Sequence, residues 1–389
     1  MPSPENPGSS SRLPFGSFRR AIFSIRPDQV HSLETDRESS IDSGSTASFQ
    51  TLVSDRFADL SVANDDEFLS LSWIRKLLDA FGDCQDAFRA TLSNSKELLS
   101  KPPQDKILSD FFDTSIKALD ICNAVRDGIQ KVRVWQRHLE IVVSALDPTQ
   151  QQRMIGEGHF RRARKALTDL TLAMFVVDEK DTASVFSNRN RSFGQPNRTK
   201  DHPHPSPRHT RSLSWSVSPL WSASKQLQLI VNNLILPNAT SDNNGLATLI
   251  FTMNHVLLCV LWVIVAAIPC QDRSGTQINV TVPVQFLWGR SLQTIHSRIT
   301  DASKKRDRRN LNGLLKETSR VEKEAHELLE LIDSGERRDE AIRRADALSQ
   351  LCKAYQMELG PLERQLRDVF TKIRMCRAQG LEMLGKARQ

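Results

Sequence analysis

The pentapeptide HELLE, His326 to Glu330, begins like the helix of a zinc protease, in which two histidines four residues apart hold the metal. Its second ligand position is Glu330 rather than histidine, so the donor set fails and the string reads as a solvated helix face. His202, His204 and His209 lie close together in DHPHPSPRH, but the surrounding prolines deny the rigid supporting shell that a metal site needs. GEGHF, Gly156 to Phe160, carries two glycines without a preceding strand, which makes it a helix-start turn rather than a phosphate cradle. There is no P-loop and no GxGxxG string. The six cysteines (Cys84, Cys122, Cys259, Cys270, Cys352 and Cys376) contain no CxxC pair. Most fall at apolar positions of helical patterns, which fits buried reduced thiols better than a disulfide framework or a zinc site. No Ser/His/Asp set is brought together by the pattern. The residues therefore give no catalytic, cofactor-binding or metal-binding assignment, and the expectation is a protein that is not an enzyme.

The chemistry the sequence does offer is modification and charge. Arg189-x-x-Ser192 and Arg211-x-x-Ser214 place serines three residues after arginine, as basophilic kinases prefer. Phosphate at Ser192 and Ser214 would counter the basic character of their surroundings. RRARK (Arg161 to Lys165) and KKRDRR (Lys304 to Arg309) read as solvated helix surface, with nuclear signals or anionic-lipid contacts as the weaker reading. A net charge of +7 on 389 residues is mild, and the chain has one tyrosine. Its aromatics are not interleaved with basic residues, which speaks against nucleic acid.

Helices must position whatever function there is. Residues 1–62 read as a disordered, basic and Ser-rich N-terminal segment. Its SSSRLPFGSFRRAIFSIR stretch suits a basic amphipathic element better than an organellar leader. An N-terminal helical region follows over 63–179. It has helical spacing from Leu69 to Phe88, a long helix from Gln104 to Leu146 stopped by Asp147-Pro148, and a third from Glu157 to Val177. Residues 180–223 are rich in Ser, Arg and Pro and read as a disordered linker. The C-terminal helical region, 224–389, starts with a short helix over 224–236. Leu311, Leu314, Thr318, Val321, Ala325, Leu328 and Ile332 form an unbroken three-four register, and Leu311, Leu314, Val321, Leu328 and Ile332 are a candidate partner seam, with core packing the stronger alternative. A further helix is expected to break at Gly360-Pro361 and resume to about Leu384. No run of alternating strands occurs. The expected fold is all-α, a bundle of seven or eight helices.

The most apolar stretch is LATLIFTMNHVLLCVLWVIVAAI, Leu246 to Ile268. As a helix it would be about 35 Å long, enough to span a bilayer core. Leu246, Val256, Leu261, Trp262 and Ile268 mark it as a membrane segment, single-pass or peripheral and facing the cytosol. Asn254 and His255 near its middle argue equally for a helix buried in a soluble bundle.

Several long strings then occur in order: SIKALDICNAVRDGI (Ser115 to Ile129), IGEGHFRRARKALTDL (Ile155 to Leu170), RSLSWSVSPLWSASKQLQ, VAAIPCQDR (Val265 to Arg273) and RDRRNLNGLLKE (Arg306 to Glu317). Together they resemble the plant BYPASS-related/ROH family, nearest its ROH branch. The resemblance implies a non-enzymatic regulatory protein associated with the exocyst through an Exo-seventy-type subunit, and hence with polarised secretion. BYPASS-type members imply instead control of a root-to-shoot developmental signal, by a ligand-binding protein or an enzyme acting on a signalling metabolite. The family carries no catalytic or ligand residues to transfer. The composition shift makes one direct test available: limited proteolysis should cut between Asn188 and Ser222 before it touches Gln104 to Leu146, and early cleavage inside that helix would reject the assignment of the linker.

Overall fold

The computed structural model describes residues 43–94, 102, 104–147, 155–175, 221–234, 236–237, 245–270, 280–305, 312–335 and 338–386. Among them are nine helices and no strand: α1 Ser43–Ser61, α2 Leu71–Asn94, α3 Gln104–Leu146, α4 Glu157–Phe175, α5 Ala223–Asn232, α6 Leu246–Ala267, α7 Gly289–Lys305, α8 Lys316–Ser334 and α9 Arg338–Lys386. They belong to one compact unit, residues 39–389. Ser192, Ser214, Leu311 and the Phe15 to Ile25 stretch lie outside the described residues.

The longest helices form the frame, because each carries an apolar stripe long enough to need a partner along its whole length. Side-chain pairs fix how they run. Asp79 accepts from Gln365 at 2.6 Å, Asp86 pairs with Lys372 at 2.6 Å, and Ser93 accepts from Gln379 at 2.7 Å. Each pair is 286 residues apart and each follows the last by seven, so α2 and α9 lie parallel in heptad register. On its other side α9 runs antiparallel to α3: Gln356 reaches Glu140, Arg133 pairs with Glu363 at 2.8 Å, and Arg377 donates to the Phe112 carbonyl at 3.2 Å. Gly380 allows the close approach, since a Cβ there would stand 1.8 Å from the Phe112 ring. α4 packs on α3, and α8 on both α4 and α9. Helices from both sides of the 176–220 stretch thus share one hydrophobic core.

At its centre is α6, which packs against α1, α2, α3, α5 and α7. Leu246, Val256, Leu261, Trp262 and Ile268 are all buried inside the protein.

Three sequence expectations are corrected, and one helix is added. Residues 43–61, assigned to a disordered segment, form α1, because Phe49, Val53, Phe57 and Leu60 recur on one face and are buried. α7 has no counterpart in the sequence reading; Trp288, Leu292, Ile295 and Ile299 form its buried face. α9 runs unbroken through Pro361. Gly360 has no Cβ to clash with the proline ring, and the carbonyl that loses its partner belongs to the exposed Met357, while Leu359, Leu362 and Leu366 hold both halves in the core. Finally, the register read as one helix from Leu311 begins only at Lys316. Within it Val321 and Leu328 are fully buried and Leu314 and Ile332 half-buried. Leu328→Ala should therefore cost roughly 2–5 kcal/mol of stability by urea unfolding; an unchanged unfolding midpoint would return the residue to the surface.

Candidate functional site

A dense polar construction lies at the C-terminal end of α6, where VAAIPCQDR meets NGLLKE. Pro269 lacks an N–H and forces Ile268 into extended backbone, ψ 146°, so the helix stops. That leaves the last carbonyls without helical partners. Two are taken by a distant segment: Leu314 N–H donates to Ala266 O at 2.9 Å, and Leu315 N–H to Ala267 O at 3.3 Å. Gly313 turns the segment into place at φ +77°, a left-handed conformation, and a Cβ there would sit 2.1 Å from Ala267 O. Gly128 of α3 gives room on the opposite side, where a Cβ would meet Ile268 at 2.7 Å.

The same segment then starts two helices. Lys316 N–H donates to Leu69 O at 3.1 Å. Leu69 has φ +65°, a strained conformation for a branched residue, held by its burial. The Glu317 carboxylate receives the Leu71 N–H, 3.1 and 3.2 Å from its two oxygens. This satisfies one of the orphan donors of α2, while Ser70 Oγ accepts the Trp73 N–H at 3.2 Å. Burial pushes the Glu317 carboxyl up, against the backbone bonds and Arg320, with Glu358 adding to the rise. One residue on, Thr318 Oγ1 and Tyr355 OH share a fully buried hydrogen bond of 3.1 Å.

A second polar layer lies between α6 and α7. His255 Nδ1 is 3.1 Å from the Phe251 carbonyl, and the ring packs on Phe251 and Trp288. Burial pushes this imidazole down, opposed by Phe251 and the Thr281 backbone, which keeps it neutral near pH 7. His296 stacks on Trp262 at 4.6 Å and is likewise lowered by burial.

What this arrangement can do chemically is limited. Burial pushes the thiols of Cys84, Cys122, Cys259, Cys270 and Cys376 up to about 12 and that of Cys352 to about 11. None is a thiolate nucleophile at neutral pH. Among the described residues no group of His, Cys, Asp and Glu is placed to hold a metal ion. His326 and Glu330 are 3.1 Å apart on the exposed face of α8. The interstice bounded by Ile74, Leu78, Val125, Ile129, Ile264, Ile268, Leu362 and Leu366 is apolar and has no room for a water. The junction is thus a structural clasp that fixes three helix ends. Gly313 and Glu317 escaped the sequence reading, and Leu69, read as the first apolar position of a helix, instead stands before α2 at positive φ; NGLLKE carried the signal, a glycine interrupting an otherwise helical register.

The class defined by the structure is an all-helical bundle, and comparison with known proteins gives the family. The chain matches the family Protein ROH1-like over residues 12–384. It is 44% identical to Protein ROH1D of Arabidopsis thaliana, covering 95% of this chain and 97% of that protein. It is 34% identical to Protein ROH1A of the same plant, covering 96% of each. The chain belongs to the ROH1-like family. No solved structure matches it.

Glu317 gives the clasp a pH signature. Its folded carboxyl titrates above its unfolded value, so the folded chain holds a proton that the unfolded chain has lost. Its contribution to stability is greatest below the ordinary carboxylate pKa of 4.5 and falls as pH rises through the elevated folded value. In urea titrations Glu317→Gln, which keeps an acceptor for Leu71, should remove that slope; Glu317→Ala should cost roughly 1–3 kcal/mol. Identical pH profiles for wild type and Glu317→Gln would refute the assignment.

Proposed function

We propose that this protein is a non-enzymatic regulatory adaptor that engages an Exo-seventy-type exocyst subunit and modulates polarised secretion in plants. The observation that carries the reading is the family match, which runs over nearly the whole chain. The protonated thiols and the tightly closed apolar interstice between α2, α3, α6 and α9 are consistent with a protein that acts by binding through its surface. The seam residues Val321 and Leu328 are occupied by core packing, so docking falls to other faces. Phosphate at Ser192 and Ser214 would tune the partner's approach through charge. Membrane attachment, where it occurs, is peripheral: α6 has the length and apolarity of a span, but its sides are covered by other helices.

Affinity purification from plant tissue, with each lysate also split by carbonate extraction, tests both parts. Exocyst subunits should co-purify, and alkali should release the protein into the supernatant. Recovery of a metabolic enzyme complex without exocyst would favour a protein acting on a signalling metabolite. Retention in the alkaline pellet would overturn peripheral attachment.

A further inference from the structure

The inner side of α9 is held by α2, α3 and α8, and its opposite side is an exposed stripe that becomes half-buried at Gly360, Pro361 and Thr371. From Arg364 onward this stripe has its own seven-residue order. Its middle line is Arg364, Thr371, Ala378 and Gly385; Arg367, Arg374 and Leu381 flank it on one side, Asp368, Met375 and Glu382 on the other. The middle line becomes small toward the C-terminus, and a Cβ at Gly385 would meet open space. The result is a shallow track between taller side chains, the shape into which another helix lays its ridge.

Composition says what kind of helix. Met375 is 48% and Leu381 38% exposed, and Met357, farther up the same face, is 72% exposed. Exposed methionine and arginine are the residue types enriched in protein interfaces, and methionine adapts to its partner's shape. The charge on this face is lopsided. Lys372 and Arg377 turn inward to Asp86 and the Phe112 carbonyl. Arg367 shares Glu363 at 3.8 Å, whereas no carboxylate among the described residues lies within ion-pair distance of Arg364 or Arg374. Between Arg364 and Gly385 the exposed charges are Arg364, Arg367 and Arg374 against Asp368 and Glu382.

We propose that the outer face of α9, from Arg364 to Gly385, docks an acidic amphipathic helix of a partner protein. Apolar residues of that helix would settle on Met375, Ala378 and Leu381, and its carboxylates would meet Arg364, Arg367 and Arg374. The face is about 32 Å long, room for some six helical turns. The assignment rests on the adaptor reading for the existence of a partner, not for its identity.

The test uses the full chain and fluorescently labelled synthetic peptides, measured by anisotropy: a leucine/glutamate amphipathic helix, a scrambled peptide of the same composition, and a leucine/lysine counterpart. The acidic amphipathic helix should bind, more weakly as salt rises, and the other two should not. Arg364→Glu with Arg374→Glu, and separately Met375→Glu, should each weaken binding by about tenfold or more. Arg364→Lys with Arg374→Lys should retain most of it. All these side chains are exposed, so circular dichroism should be unchanged, and a variant with altered spectra is replaced by Leu381→Glu. Equal binding of the scrambled peptide would reduce the face to plain charge attraction and overturn the proposal. Capture of the chain by vesicles of anionic phospholipid, with no peptide binding, would assign the face to membranes instead. Absence of peptide binding while exocyst subunits co-purify sinks this face alone; peptide binding without exocyst recovery sinks the identity of the partner alone.

Discussion

Two hydrogen bonds, from Leu314 and Leu315 to the last carbonyls of α6, are the constraint on which the rest of the fold depends. Burying each large apolar side chain of α6 contributes about 1.5–3 kcal/mol, a large but non-directional sum. It does not say where the helix should stop or which segment should cover its end. Each carbonyl left dry and unpaired there would cost about 1–3 kcal/mol, comparable to one buried side chain. The Gly313 turn removes that cost, and the following residues, Lys316 and Glu317, use the same placement to hold Leu69 and to begin α2. Hydrophobicity gathers the helices, and the clasp sets their relative ends.

The same accounting explains two of the polar residues at the centre of α6, though not Asn254, whose buried Oδ1 has no hydrogen-bond partner. Thr252 returns its hydroxyl proton to the Thr248 carbonyl at 2.8 Å, and His255 faces the carbonyl of Phe251. Both use the helix's own backbone, so neither demands water. Around His255 the rings of Phe251, Phe286 and Trp288 form an aromatic layer that ties the helix to the start of α7. For a bilayer to accept α6, the helix would have to leave five neighbours, this layer and both cap bonds.

Legibility in the sequence followed the length over which a signal repeats. The bounds of α3, Gln104 and Leu146, were readable because its apolar residues alternate three and four apart for about eight turns from Ala118, broken at Gln136, and an Asp-Pro ends them. α1 and α7 were not, because their buried faces are only four or so residues long and sit among serines and arginines. Only the neighbouring helices make such short stripes sufficient. Pro361 misled for a related reason: the rule that proline ends a helix is local, whereas the burial of Leu359 and Leu362 in the shared core is not. The clasp was least legible, because a hydrogen bond from Leu314 to Ala266 leaves no period in either stretch. Only Gly313, whose left-handed turn the register cannot contain, marked it.

The frame also bears on how a surface of this protein can recognise anything. Association is opposed by the entropy of ordering the groups that meet, and a flexible face carries that cost in full. α9 is 49 residues long, yet its inner side is pinned to α2 every seven residues and to α3 along the opposite flank. Its outward side chains therefore project from a backbone that is already fixed, and only their own rotamers remain to be ordered. Heptad packing within the protein imposes the same seven-residue spacing on the outer stripe, because both stripes belong to one helix. A partner helix meets a surface whose pitch was set by the core. In this fold the internal register of α2, α3 and α9 is thus also the ruler for external recognition.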